Sequence, residues 1–146
     1  MKSENYINLT FPSRSCNEAF ARSAIAAFAS QLDPTLDELG DVKTAVSEAV
    51  TNCIVHAYPD CVGEIQLRAW IVEGNTLMIQ IRDRGVGIED LDKAREPMFT
   101  TGGSERSGMG FTIMQTFMNE LKILSQPGKG TTVRMKRILG RRGARA

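Results

Sequence analysis

The chain has 146 residues, 42% of them apolar and 24% charged, the size and balance of one soluble globular domain. No apolar run approaches the roughly 18 residues that span a bilayer, which excludes a helical membrane protein. The formal net charge is +1, but five of the 18 basic residues fall in the closing "KRILGRRGARA", leaving 13 basic against 17 acidic over the rest. That acidic body argues against a direct nucleic-acid surface.

In chain order, "MKSENYINLTF" lacks the apolar segment of a secretory signal, and "YINLTF" (6–11) alternates as a strand does. Phe20, Ala24, Phe28 and Leu32 recur every four residues and predict an amphipathic helix from Cys16 to Leu32. Asp33-Pro34 reads as an N-cap with proline at the first helical position. A helix to about Ala57 follows, with Leu39, Val42, Val46, Val50 and Cys53 or Ile54 inward and Gly40 weakening its first turns. "EIQLRAWIV" (64–72) and "TLMIQIRD" (76–83) predict two strands joined by a hairpin at Glu73-Gly74-Asn75.

Residues 84–107 are rich in glycine and charge, lack periodicity, and read as a functional lid. "GMGFTIMQTFMNE" (108–120) returns to helical periodicity, and "LKILSQ", "PGKG" and "TTVRMKRIL" close the chain as a hairpin. The order β-α-α-β-β-lid-α-β-β predicts one α/β, or α+β, two-layer sandwich, with a mixed sheet and its helices on one face. Residues 1–137 form the expected domain and 138–146 a basic, disordered tail. Cys16, Cys53 and Cys61 are odd in number and form no C-x-x-C pair, so neither a disulfide framework nor a zinc site is indicated. The expected compartment is a reducing cytoplasm.

The helix segment "SEAVTNCIVHAY" carries Glu48 and Asn52 four residues apart, on one helical face, with the sole histidine, His56, four further on. A core stripe would use leucine there, so the carboxylate and amide face water or something that needs them. Two glycine clusters bracket the lid, "DRGVGI" (83–88) off a strand and "RSGMGF" (106–111) opening a helix. Such glycines let backbone N–H groups approach a phosphate. Neither is a dinucleotide fingerprint, since Asp90 and Ile113 stand where the third glycine belongs. Gly103 and Gly108 have P-loop spacing, but Met109 holds the lysine position.

Taken together, Glu48-x-x-x-Asn52-x-x-x-His56, Asp83-x-Gly85-x-Gly87-Ile88, Gly108-x-Gly110 and Gly130-Thr131 resemble the ordered sequence boxes of the GHKL ATP-binding superfamily. That superfamily includes histidine kinases, type II topoisomerases, Hsp90 and MutL. Within it, "NEAFAR", "SEAVTN", "FTT" and "ERSGMGFTIM" are most similar to the sporulation anti-sigma-F serine kinases, over roughly residues 6–137. The resemblance implies a Bergerat-type ATP-binding fold with an ATP lid and binding of ATP or ADP with Mg2+.

The residue roles below are those the resemblance implies. Asn52 is the magnesium ligand, a neutral oxygen facing the triphosphate. Glu48 is the general base that takes a proton from a serine hydroxyl or water. Asp83 accepts from the exocyclic amine of adenine, with Gly85 and Gly87 passing close to the base. Thr131, or Thr132 in its place, shares a water with that aspartate. Gly108 and Gly110, flanked by Ser107 and Met109, bring backbone amides to the phosphates, and Arg106 stabilises charge on the transferring group. Thr100 and Thr101 in the lid sense the nucleotide. Arg22, in "NEAFAR", contacts competing partners, a sporulation sigma factor (sigma F) and an anti-anti-sigma protein that carries the substrate serine. The same segment lies at a homodimer interface. His56 reads as structural, and without a second histidine on a dimerisation helix the phosphate goes to another protein or to water.

Three functions remain open on these residues: an ATP-dependent protein serine/threonine kinase that is also a sporulation anti-sigma factor, acting in the forespore cytoplasm; a general-stress anti-sigma kinase; or a nucleotide-gated anti-sigma module without turnover. A topoisomerase or Hsp90 type of ATPase has no room for its further domains in 146 residues. The lid reads "TTGGSERSGMG", with Gly102-Gly103 where these kinases lead one to expect a stiffer Lys-Pro pair, and paired glycines raise the entropy lost on ordering. Gly102→Lys with Gly103→Pro is expected to slow nucleotide release, measured as the off-rate of a fluorescent ATP analogue; an unchanged off-rate would oppose that reading of the lid.

Overall fold

The computed structural model describes residues 4–87 and 105–139, with positions 105–110 described as helix backbone only. The elements are β1 (Asn5–Pro12), α1 (Cys16–Ala29), a 3-10 turn (Ser30–Leu32), α2 (Leu36–Asn52) with a π-helical extension (Cys53–Ala57), β2 (Glu64–Val72), β3 (Thr76–Asp83), α3 (Glu105–Phe117), β4 (Glu120–Gln126) and β5 (Gly130–Ile138). The five strands pair in the order β1-β2-β3-β5-β4. The helices cover one face, and α2 packs between α1 and α3.

The two-layer α+β sandwich is as expected, but every strand pair is antiparallel, so the sheet is not mixed. Two helices, α1 and α2, separate β1 from β2, and two crossings return the chain to the end of the sheet where β1 finished. Pro12 therefore lies opposite Glu64, and the strands run in opposite senses. The described part of the connection from β3 to β4 contains α3, and those two strands run parallel, but β5 is inserted between them and pairs antiparallel with both.

Alternation along the strands builds the core. Ile65, Leu67 and Ala69 of β2 and Leu77, Ile79 and Ile81 of β3 are buried under the helices. Burying each of the leucine and isoleucine side chains contributes about 1.5–3 kcal/mol. Asp83 is the next residue of the same β3 stripe. The inward pattern thus delivers a carboxylate to the end of α2.

Three local expectations need correction. On α1 the buried residues are Ala21, Ile25, Phe28, Ala29 and Leu32, while Phe20 is 53% exposed. A strict period of four drifts about 40° per step around a 3.6-residue helix, so the buried line alternates steps of four and three. The cap of α2 is Thr35, not Asp33. Thr35 Oγ1 accepts from Glu38 N–H at 3.0 Å and Glu38 Oε1 accepts from Thr35 N–H at 2.9 Å, a complete capping box. Asp33 instead closes the 3-10 turn at φ 56°, a left-handed conformation that aspartate tolerates. At the other end, β5 runs to Ile138, and Leu139 is buried with its N–H on Asn75 O. The folded domain therefore extends past residue 137.

Arg137 ties the layers together, donating to Asp41 Oδ2 of α2 at 3.0 Å and to the Phe117 carbonyl at the end of α3. Both partners are only partly exposed, and a hydrogen bond to a charged group in such a place contributes about 1.5–3 kcal/mol. Arg137→Ala is expected to cost ~2 kcal/mol in urea denaturation with the m-value unchanged.

Candidate functional site

The inner face of α2 is built from Val42, Ala45, Val46, Ala49 and Val50, and Glu48 lies among these residues at 8% exposure. One turn on, the amide oxygen and nitrogen of Asn52 are both shut off from solvent and have no hydrogen-bond partner among the described residues. An unpaired buried amide costs about 1–3 kcal/mol, which a ligand bound there would offset. The spacing of Glu48 and Asn52 thus places both on the side of α2 that is withdrawn from water.

Beyond Asn52 the expected α-helix changes pitch. Tyr58 N–H bonds back to Cys53 O at 3.2 Å, an i→i+5 closure, and residues Cys53–Ala57 form a π turn. Single π turns inside helices occur often at functional sites. The widened turn presents the Ala57 carbonyl to Val86 N–H at 3.0 Å, which docks the chain leaving β3 against the helix end. His56 sits on this turn, and its burial lowers its pKa from 6.5, so the imidazole is neutral at pH 7. A neutral, half-buried ring fits the structural role expected for it.

Asp83 ends β3 at 5% exposure. Its Oδ1 accepts from Gly85 N–H at 2.9 Å and from Thr131 N–H at 3.2 Å, and its Oδ2 accepts from the Cys53 thiol at 3.5 Å. A carboxylate offers about four acceptor positions, so among the described residues one position on Oδ2 remains. Desolvation raises the Asp83 pKa from 3.8, opposed by the N–H of Gly85, the Cys53 thiol and the N–H of Thr131. Thr131 thus reaches Asp83 through its backbone, while its hydroxyl pairs with Ser125 Oγ at 2.7 Å. Thr132 lies on the other face of β5.

The glycines here serve close backbone contact. A Cβ on Gly85 would stand 2.1 Å from the Ala57 carbonyl oxygen, and one on Gly130 would stand 2.2 Å from Asp83 O. Gly87 (φ +77°) is packed on the Gln126 carbonyl. The ends of α2 and β3 and the β4–β5 turn therefore meet backbone to backbone around Asp83. Tyr58 adds a brace, its hydroxyl accepting from Arg84 N–H and donating to Glu64 O, both at 2.7 Å.

The remaining expected residues are placed as follows. Gly108 and Gly110, with Arg106, Ser107 and Met109, belong to the first turns of α3, which begins at Glu105 and not at 108. Thr100, Thr101 and Gly102-Gly103 lie outside the described residues. Arg22 is part-buried, donating to Glu18 Oε2 at 2.8 Å and to Ser47 Oγ, beside Glu48, at 3.2 Å. Cys53, Tyr58 and Ser125 are the side chains at this site that the sequence did not single out. Their partners lie up to 30 residues away, and only Cys53, following Asn52 directly, had a local signal. Among the described residues, no cluster of His, Cys, Asp or Glu could hold a metal by itself, and no helix is long and apolar enough to cross a membrane.

The profile of the Histidine kinase-like ATPase domain matches residues 11–137. The chain belongs to the histidine kinase-like ATPase family. Within this GHKL family it is 57% identical to a protein of Caldanaerobacter subterraneus subsp. tengcongensis named Anti-sigma F factor, covering 97% of this chain and 99% of that one. It is 52% identical to a Clostridium kluyveri protein of the same name, covering 92% and 95%. The fold is also that of a Mycobacterium tuberculosis structure containing RsbU and RsbW domains, at TM-score 0.68 and 18% identity, covering 94% of this chain and 32% of that one. A blue-light activated histidine kinase of Erythrobacter litoralis aligns at TM-score 0.57 and 25% identity, covering 84% and 60%. The ATPase family implies ATP or ADP as the nucleotide.

A buried carboxylate with a raised pKa has a definite sign in the stability. Below pH 3.8 the folded and unfolded states both hold the proton. Between 3.8 and the raised value the folded state binds more, so stability falls as pH rises. Above that window the whole cost of the ionised group is present. Asp83→Asn, which keeps an oxygen for the two N–H donors, is therefore expected to raise the nucleotide-free Tm at pH 7 by roughly 2–4 °C. The gain should vanish below pH 3.8 in a thermal melt series.

Proposed function

We propose that this cleft binds MgATP and that the chain is an anti-sigma factor and serine kinase, which holds a sporulation sigma factor (sigma F) and phosphorylates a serine of its anti-anti-sigma antagonist. The carrying observation is one juxtaposition among the described residues: a buried carboxylate with a single acceptor position left, a solvent-excluded amide without a partner, and a second carboxylate one turn from that amide. Likeness over nearly the whole chain to proteins named Anti-sigma F factor supports the same reading.

Asp83 has acceptors only, so the base it selects must offer a donor, as the exocyclic amine of adenine does and the corresponding position of guanine does not. Asn52 fits a magnesium ion, which takes a neutral oxygen, keeps several waters and needs few protein ligands. When bound, the ion neutralises charge on the phosphate oxygens. Glu48 accepts the proton of the attacking serine hydroxyl as the bond from that oxygen to the γ-phosphorus forms and the bond to the β–γ bridging oxygen breaks, leaving ADP. Arg106 stabilises charge on the transferring group, while Ser107, Gly108, Met109 and Gly110 line the phosphates, and Thr100 and Thr101 report nucleotide from the lid. Arg22 meets the competing partners from α1 in a homodimer, the commonest oligomer among soluble proteins.

Phosphate transfer tests this directly. Chain, γ-labelled ATP, Mg2+ and an anti-anti-sigma protein from the same genome should give label on a partner serine. Glu48→Gln should lower that rate about 10²–10⁴-fold while nucleotide affinity is retained. Nucleotide-dependent capture of a sigma factor with no label on any partner would leave a binding module without turnover and remove the kinase reading.

A further inference from the structure

The Cys53 side chain points into the core at the first residue of the π turn, a place where an apolar side chain would complete the stripe. What distinguishes it is its neighbour. Its sulfur lies 3.5 Å from Asp83 Oδ2 and is the donor to that oxygen among the described residues. The two backbone N–H groups both fall on Oδ1. They hold one oxygen, and Oδ2 takes its donor among the described residues from the thiol. The thiol occupies one of the two acceptor positions of Oδ2 and adds a third tether on the soft χ2 torsion. The direction of the one remaining acceptor position is then set by a residue from α2, although the carboxylate itself belongs to β3.

We propose that Cys53 is a positioning residue for recognition of the nucleotide base: its thiol anchors Asp83 Oδ2 and so orients the acceptor that takes the exocyclic amine of adenine. The inference rests on the reading of Asp83 as the adenine acceptor. It adds a residue that the glycine and asparagine motifs do not contain. Position 53 still bonds its N–H to Ala49 O as the end of α2, so the register of that helix brings it to the end of β3.

The test separates the thiol's effect on the amine from any general loosening. Dissociation constants of the full chain for ATP and for purine riboside 5′-triphosphate, which lacks the exocyclic amine, would be measured by calorimetry for the native protein, Cys53→Ala and Cys53→Ser. Cys53→Ala should weaken ATP about five- to tenfold, the size of one ordinary net hydrogen bond, and leave the purine analogue within about twofold. Cys53→Ser, which keeps a donor, should recover most of the ATP affinity. Should Cys53→Ala fail to fold, Cys53→Val, apolar and close in volume, gives the same comparison. Equal losses for both nucleotides, or none for either, would overturn the proposal and leave Cys53 a packing residue. If the native protein bound the two nucleotides equally, base recognition by Asp83 would itself be wrong, an outcome distinct from failure of the thiol alone.

Discussion

A carboxylate kept out of water at the end of β3 is the constraint around which the head of this sheet is organised. Asp83 can remain buried only because three donors from three separate parts of the chain converge on it: the turn that follows it, the start of β5 and the end of α2. For these parts to come so close, side chains must be absent where backbones meet. Gly85 against the Ala57 carbonyl and Gly130 against the Asp83 carbonyl meet that condition. A methyl group at either place would force the elements apart and take the donors with them.

The same region carries features that oppose stability. The carboxylate is desolvated, the Asn52 amide has no partner among the described residues, and α2 leaves ideal α geometry for a π turn directly after it. Such costs tend to collect where a protein must meet a ligand. They are carried by the sheet and helices beneath, where Ile65, Leu67, Leu77, Ile79, Ile81 and Met135 are fully buried and Arg137 joins β5 to α2 and α3. The rigid layer and the poised site are thus two ends of the same strands.

Helix α2 links the parts that a regulated kinase would need to couple. Its N-terminal half is fixed by the Thr35–Glu38 capping box, its middle receives Arg22 on Ser47, and its last turns carry Glu48 and Asn52. Arg22, proposed to meet protein partners, therefore touches the residue directly before Glu48, the proposed base.

Much of this was readable from residue order. The strands Glu64–Val72 and Thr76–Asp83 follow from alternation, and the four-residue spacing of Glu48 and Asn52 is enough to put both on one helical face, since both rules depend only on local backbone geometry. The family followed from motifs in order, which need no coordinates. What only the tertiary structure decided are matters of contact between distant segments. That β3 and β4 do not pair as parallel neighbours depends on β5 inserting between them, and the exposure of Phe20 depends on which side of α1 meets α2. The π turn arises from docking onto Val86, and the bonds from Cys53 and Thr131 to Asp83 join residues 30 and 48 positions apart. Local pattern specifies which face a residue takes, but what it meets there is fixed only when the layers close.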